Sequence, residues 1–255
     1  MEWLDMKNTP SSVVVDRSRL ILVLLPGMDG TGALFANFVN ALHDAFETVT
    51  VSYPVERFLS YSELSDLVRA SCPLFEPYMI VAESFSTPLA IQYAATKPAN
   101  LTALVLCAGF SSSPIHGCRR FLGLLIAPIV FRIALPKYVA RFWLLGLNAQ
   151  LSLLETVRVV VSSVQPKVLA ARLRAVLSCD ARAELGEVAV PILYIQATQD
   201  RLVSASCLEE IQRIKPQTAV IVLDGPHLLL QQEHQRAAEV VADFVRQVTV
   251  PSGAR

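Results

Sequence analysis

Val81-Ala82-Glu83-Ser84-Phe85-Ser86 is the stretch on which the fold of this chain turns. The apolar run Tyr78–Ala82 leading into it reads as a buried strand, and Thr87–Lys97 behind it reads as a helix. A tight turn from strand to helix pushes a serine hydroxyl out of the sheet edge, which is one way to expose a nucleophile. The residues two before and two after such a serine must be small, because the backbone there is crowded. Ala82 and Ser86 satisfy that requirement, although glycine is the usual occupant. Taken alone, Ser84 reads as an ordinary N-cap serine.

Three other segments change that reading. Leu24-Leu25-Pro26-Gly27-Met28-Asp29-Gly30-Thr31-Gly32 precedes it, and Ala197-Thr198-Gln199-Asp200-Arg201-Leu202-Val203 and Gly225-Pro226-His227 follow. Each lies just after an apolar run that reads as a strand: Leu20–Leu25, Ile192–Gln196 and Ala219–Leu223. Further runs at Val49–Tyr53 and Leu101–Cys107, with helices expected near 33–45, 62–75, 206–214 and 233–245, complete an alternating pattern. Strands apolar on both faces, alternating with helices, imply a parallel sheet covered on both sides. Loops at the C-terminal ends of such strands meet at one edge, where ligands bind. Ser11–Asp16 is expected as an antiparallel edge strand.

Acyl transfer needs a nucleophile, a base, a group that orients the base, and donors for the developing oxyanion. Ser84 is the candidate nucleophile. His227 is the candidate base, with His234 a weaker rival because it falls in the terminal helix; His43 and His116 read as surface or supporting groups. Asp200 is the candidate orienter, holding one imidazole tautomer; Asp224, three residues before His227, is the rival and is expected to cap the last strand. The backbone N–H groups of Met28 and Phe85 are the candidate oxyanion hole, the glycines around Met28 letting the loop bend toward the serine. A phosphate-binding loop is the competing reading of residues 27–32, but the spacing is not G-x-G-x-x-G and no Walker lysine follows. Glu83, next to the nucleophile, is expected as a partly buried carboxylate with a local hydrogen-bond partner.

This ensemble resembles the α/β-hydrolase superfamily, in its esterase/lipase-like branch. The order Ser84, Asp200, His227 matches that family's order. The resemblance implies an eight-stranded, mostly parallel sheet with those three residues as a triad and a helical cap inserted between its halves. The elbow Ala-x-Ser-x-Ser and a Pro-Gly rather than His-Gly loop depart from the frequent patterns. A serine nucleophile sets the chain apart from the dehalogenases and epoxide hydrolases of the family, which use aspartate.

The inserted segment, 112–180, divides the core into 1–111 and 181–255. It lacks strand-like runs, and Pro114, Pro128, Pro136 and Pro166 divide it into about four helix-length pieces. Pro166 sits where a helix can begin, followed by Leu169, Leu173, Val176 and Leu177 at helical spacing. Residues 111–190 carry ten Lys and Arg against four Asp and Glu, on a chain whose net charge is zero. An apolar underside selects hydrophobic acyl esters. A basic outer face, formed from Arg119, Arg120, Arg132, Lys137, Arg141, Arg158, Lys167, Arg172 and Arg174 with Arg182 just beyond, is expected either as the solvated side of amphipathic helices or as a surface for an acyl carrier protein or anionic lipid.

Composition closes off other classes. With 53% hydrophobic and 17% charged residues and no net charge, nothing points to nucleic acid. The five cysteines form no CxxC pair and read as reduced structural thiols, from which a cytoplasmic location is expected. The start of the chain does not read as a secretion signal. The longest apolar stretch, 121–131, is too short to span a bilayer. The four histidines are scattered and no metal motif occurs, so neither metal nor cofactor is expected. Three functions stand: a serine carboxylic ester hydrolase for hydrophobic acyl groups, a carrier- or CoA-linked thioesterase or methyl esterase, and a non-catalytic ligand-binding member of the fold.

Overall fold

The computed structural model describes residues 20–115, 141–146 and 149–249. Six strands, β1 (Ile21–Leu25), β2 (Glu47–Thr50), β3 (Tyr78–Glu83), β4 (Leu101–Cys107), β5 (Ile192–Ala197) and β6 (Ala219–Leu223), form one sheet in the order β2-β1-β3-β4-β5-β6. Every pairing between these six strands is parallel. The expected edge strand at 11–16 lies outside the described residues.

The helices are α1 (Ala36–Leu42), α2 (Tyr61–Ser71), α3 (Ser86–Ala95), α4 (Leu151–Ser162), α5 (Pro166–Ser178), α6 (Arg182–Glu187), α7 (Ala205–Ile214), α8 (Leu229–Gln232) and α9 (His234–Thr249). Successive strand residues point to opposite faces, so near-continuous apolar runs feed two cores. Val23, Ile80, Leu104 and Tyr194 pack with α2, α3, α6 and α7 on one face. Leu22, Val81, Val105 and Ile195 pack with α1 and α9 on the other.

Element limits differ from the sequence expectations for local reasons. The strand expected at 49–53 is β2, shifted to 47–50, because the Tyr53 N–H leaves the ladder and donates to Gly30 O of the loop after β1, at 2.6 Å. The first helix opens as a 3₁₀ turn, Ala33–Phe35. α2 stops at Ser71 rather than 75, since Cys72 precedes Pro73 and takes an extended conformation (ψ 144°), as a residue before proline must. Its start is fixed by a reciprocal capping box between Ser60 and Glu63, a signal present in the sequence but not read there. The terminal helix begins earlier, as the short α8, and runs to Thr249.

Within residues 112–180, where an insertion is expected, α4, α5 and a π-helical turn at Arg141–Leu145 are described. Pro166 occupies the first turn of α5, as its missing N–H allows. Leu154, Val157 and Val160 of α4 pack with Leu34 and Leu228 of the core. Val168 and Leu169 of α5 join Val164 against Val55.

The expected basic outer face needs correction. Arg172 is not on it: the side chain is buried, 2% exposed, with all its described hydrogen bonds to the core. The reason is its helical position, on the inward face of α5 beside Leu169 and Val176. Arg158 pairs with Glu155 at 3.0 Å, and Arg182 with Asp180 at 2.6 Å. Lys167 and Arg174 are exposed as expected. Arg119, Arg120, Arg132 and Lys137 lie outside the described residues, as do Cys118 and His116. Cys72, Cys107 and Cys207 are buried thiols. No helix among the described residues is long and apolar enough to cross a membrane.

Candidate active site

The chain runs from β1 out to β2 and then back past β1 to β3, so the sheet order reverses between β1 and β3. A crevice opens at that point, beyond the strand ends. Leu25 of β1 pairs with Ala82 of β3, which sets the Pro26–Gly30 loop beside the Ser84 turn. Asp200 follows β5 and His227 follows β6, and those strands pair through Ala197 and Leu223. Four segments far apart in sequence thus share one edge.

Ser84 has φ +48°, a left-handed conformation that a non-glycine residue adopts at a cost of about 1–3 kcal/mol. Surrounding bonds hold it there: its N–H donates to Cys107 O at 2.9 Å, and its carbonyl accepts from Thr87 N and Oγ1. Ala82 and Ser86 are both fully buried, which is why neither position tolerates bulk. Ser86 does more than fill space. Its hydroxyl donates to Pro26 O, so the Tyr53 hydroxyl, 2.7 Å away, donates to it. The elbow and the loop after β1 are joined through a side chain that glycine lacks.

His227 is buried. Its Nδ1 lies 2.8 Å from Asp200 Oδ2, and its Nε2 lies 2.9 Å from Ser84 Oγ. An ionised carboxylate only accepts, so Nδ1 carries the proton and Nε2 is left as an acceptor facing the serine. His234 heads α9, with Nδ1 3.4 Å from Gln231 O. Asp224 binds Thr198 Oγ1 and Gln199 Nε2, bracing the loop that carries Asp200. His43 is exposed beside Asp44.

Among the described residues the Met28 and Phe85 N–H groups have no protein acceptor, and Phe85 stands at the N-terminal end of α3. The loop around Met28 is closed by Gly30 N donating to Gly27 O at 3.0 Å. No cluster of His, Cys, Asp and Glu among the described residues has the makings of a metal site.

Glu83 is only 1% exposed. One oxygen accepts from Gln231 Nε2 at 3.1 Å, while Oε1 has no partner among the described residues. Burial pushes its carboxyl up to about 7, against the opposing effects of His227 and Gln231. Glu83 is thus fully rather than partly buried, and its partner is not local but Gln231 of α8, distant in sequence. Asp29 is also buried and raised by burial, with hydrogen bonds from Thr31 and the charge of Arg172 opposing the shift.

Above Ser84 and His227 lies a cavity of about 280 Å³. Its wall is mostly apolar and includes Phe110, Trp143, Leu144, Val157, Leu173 and Leu228. Its described charged members, Asp29 and Glu83, are both acidic.

The chain belongs to the alpha/beta hydrolase family, whose model matches residues 22–243. Solved structures share the fold. An esterase from Thermogutta terrifontis superposes with a TM-score of 0.75 at 18% identity, over 91% of this chain and 90% of that one. A bromoperoxidase from Bacillus anthracis gives 0.76 at 14% identity, over 89% and 92%. An enol-lactonase from Burkholderia xenovorans gives 0.71 at 16%, over 91% and 94%. At these identities the likeness is one of fold. No curated protein matches the sequence.

Proposed function

We propose that the protein is a serine hydrolase of neutral carboxylic esters with a hydrophobic acyl group. The observation that carries this reading is the chain Ser84 Oγ, His227 Nε2, His227 Nδ1 and Asp200 Oδ2, with links of 2.9 and 2.8 Å, opening into an apolar cavity. Ser84 Oγ attacks the ester carbonyl and passes its proton to His227 Nε2. Asp200 stabilises the resulting imidazolium. The carbonyl oxygen becomes an oxyanion between the free N–H groups of Met28 and Phe85. Collapse breaks the C–O bond, and His227 returns the proton to the departing alkoxide. His227 then takes a proton from water, the hydroxide attacks the Ser84 acyl ester, and the carboxylic acid leaves with the serine restored.

The walls support the substrate class. A volume of about 280 Å³ is near the lower end of the roughly 300–1,000 Å³ typical of small-molecule pockets, which suits a short or medium acyl chain. A carboxylate on the acyl group would meet Asp29 and Glu83 with no described cation lining the cavity to receive it.

The test uses a fluorophosphonate probe and p-nitrophenyl esters from C2 to C16. Wild type is expected to label at Ser84 and to turn over the series with a short- or medium-chain optimum. Ser84→Ala is expected to fold, to resist labelling and to lose hydrolysis. A folded Ser84→Ala protein with most of the wild-type activity would overturn the assignment.

A further inference from the structure

Arg172 Nη1 donates to Met28 O at 2.9 Å and to Asp29 O at 2.6 Å, and Nη2 donates to Pro54 O at 3.0 Å. These bonds reach from α5 of the inserted segment to the loop that presents the Met28 N–H. The guanidinium carbon lies 5.8 Å from the Tyr53 ring centroid and 6.0 Å from that of Phe85. It thus packs beside the aromatic rings of Tyr53 and Phe85 while bonding the loop that carries Met28.

Each carbonyl of Pro26–Gly30 is hydrogen-bonded. Pro26 O is held by Ser86 Oγ, Gly27 O by Gly30 N, and Gly30 O by Tyr53 N. The remaining two, on Met28 and Asp29, are held by Arg172. The loop contains Gly27 and Gly30, with φ +71° at Gly30. Glycine-rich backbone has many alternatives to lose. Two successive peptide planes in the middle of the loop owe their described carbonyl anchorage to one side chain from outside it. Gly30 is matched to that side chain. A Cβ at Gly30 would lie 2.5 Å from Arg172 Nη1, so the guanidinium packs against the bare α-carbon.

We propose that Arg172 is a positioning residue for the oxyanion hole, through which the inserted helix α5 becomes part of the catalytic apparatus. It touches no reacting atom. It holds the two peptides that follow Gly27–Met28, and together with Gly30 N on Gly27 O this fixes the turn from which the Met28 N–H is aimed before charge develops on the substrate. Hydrolysis of any ester, including an acetate too short to meet the cavity wall, therefore depends on it. This inference rests on the hydrolase reading above, and its test separates the two.

The primary readout is the rate at which a fluorophosphonate modifies Ser84, because the phosphoryl oxygen uses the same two donors whatever the natural substrate. The second is kcat and KM on p-nitrophenyl acetate and octanoate. Arg172→Ala is expected to slow labelling and to lower kcat by about 10²–10³, as loss of one oxyanion donor does, with KM little changed and the two esters affected alike. Arg172→Lys is expected to recover only part of the loss, because an ammonium lacks the planar fork that reaches three carbonyls. Added ethylguanidinium is expected to restore activity to Arg172→Ala. Arg174→Ala, on the exposed side of α5, is expected to match wild type. If Arg172→Ala fails to fold, Arg172→Lys is judged by the same labelling rate and kcat. A folded variant that labels and hydrolyses acetate at the wild-type rate overturns the proposal, as does a defect confined to octanoate, which marks a wall residue. Absence of labelling in wild type itself would instead overturn the hydrolase reading.

Discussion

Asp200 divides its carboxylate between two tasks: Oδ2 faces His227 Nδ1 at 2.8 Å, and Oδ1 accepts from Leu202 N at 2.8 Å and Val203 N at 2.9 Å. The loop's own backbone therefore fixes the carboxylate that fixes the imidazole. Asp224 has no such relation to His227; it binds Thr198 and Gln199.

Asp200→Asn is therefore expected to reduce kcat by about 10⁴, because the amide favours the wrong tautomer of His227. Asp224→Asn is expected to act on the stability of the loop, leaving kcat within a few-fold of wild type. Steady-state kinetics on both variants decide between the acids; reversed effects would make Asp224 the orienter.

Glu83→Gln is expected to change how stability depends on pH. The folded carboxyl titrates near 7 against an ordinary value of 4.5. Between those values the folded protein keeps a proton that the unfolded chain has released, so Glu83 lowers stability as pH rises, and the full loss is present above 7. Removing the charge should stabilise the protein at pH 8 by on the order of 3 kcal/mol relative to its effect at pH 4. Urea unfolding at pH 4, 6 and 8 measures this. A difference between variant and wild type that stays constant with pH would show that the carboxylate ionises normally.

Ser86→Ala is expected to destabilise the fold by about 1–3 kcal/mol, because Pro26 O is left in a buried site without its donor. Tyr53→Phe should cost less, since Ser86 keeps its bond to Pro26 O. The denaturant midpoints of the two variants test the order. Equal costs would mean that the tyrosine hydroxyl, rather than the link to Pro26, is what Ser86 serves.

Leu173→Ala is expected to enlarge the cavity and move the preferred acyl length upward, with a change of roughly tenfold in the ratio of octanoate to acetate turnover, the scale at which hydrophobic pockets discriminate methylenes. Acetate turnover should be nearly unchanged, in contrast to Arg172→Ala. A uniform loss across the C2–C16 series would place the acyl chain elsewhere.

The elements that depend on local pattern were readable from the order of residues alone. Apolar runs of strand length bounded by turn residues read as strands, so β3, β4, β5 and β6 were legible to within a residue or two, although β6 lies at the sheet edge with Val222 exposed, and α5 was legible from Pro166 and its apolar spacing. Ser84, Asp200 and His227 could be named because each follows such a strand, and parallel strands bring their C-terminal ends together. The edge strand β2 was shifted, because after Val51 N donates to Leu24 O of β1 the next bond, from Tyr53 N, goes to Gly30 O in the loop after β1. What Arg172 bonds became visible only in the packed fold. An arginine on an amphipathic helix looks the same in sequence whether it faces water or the core, and the carbonyls that hold it belong to residues 28, 29 and 54. The same holds for Ser86 with Pro26 and for Glu83 with Gln231. Hydrophobic periodicity is local and survives in one dimension, whereas a buried polar group finds its partner wherever the packed chain places one.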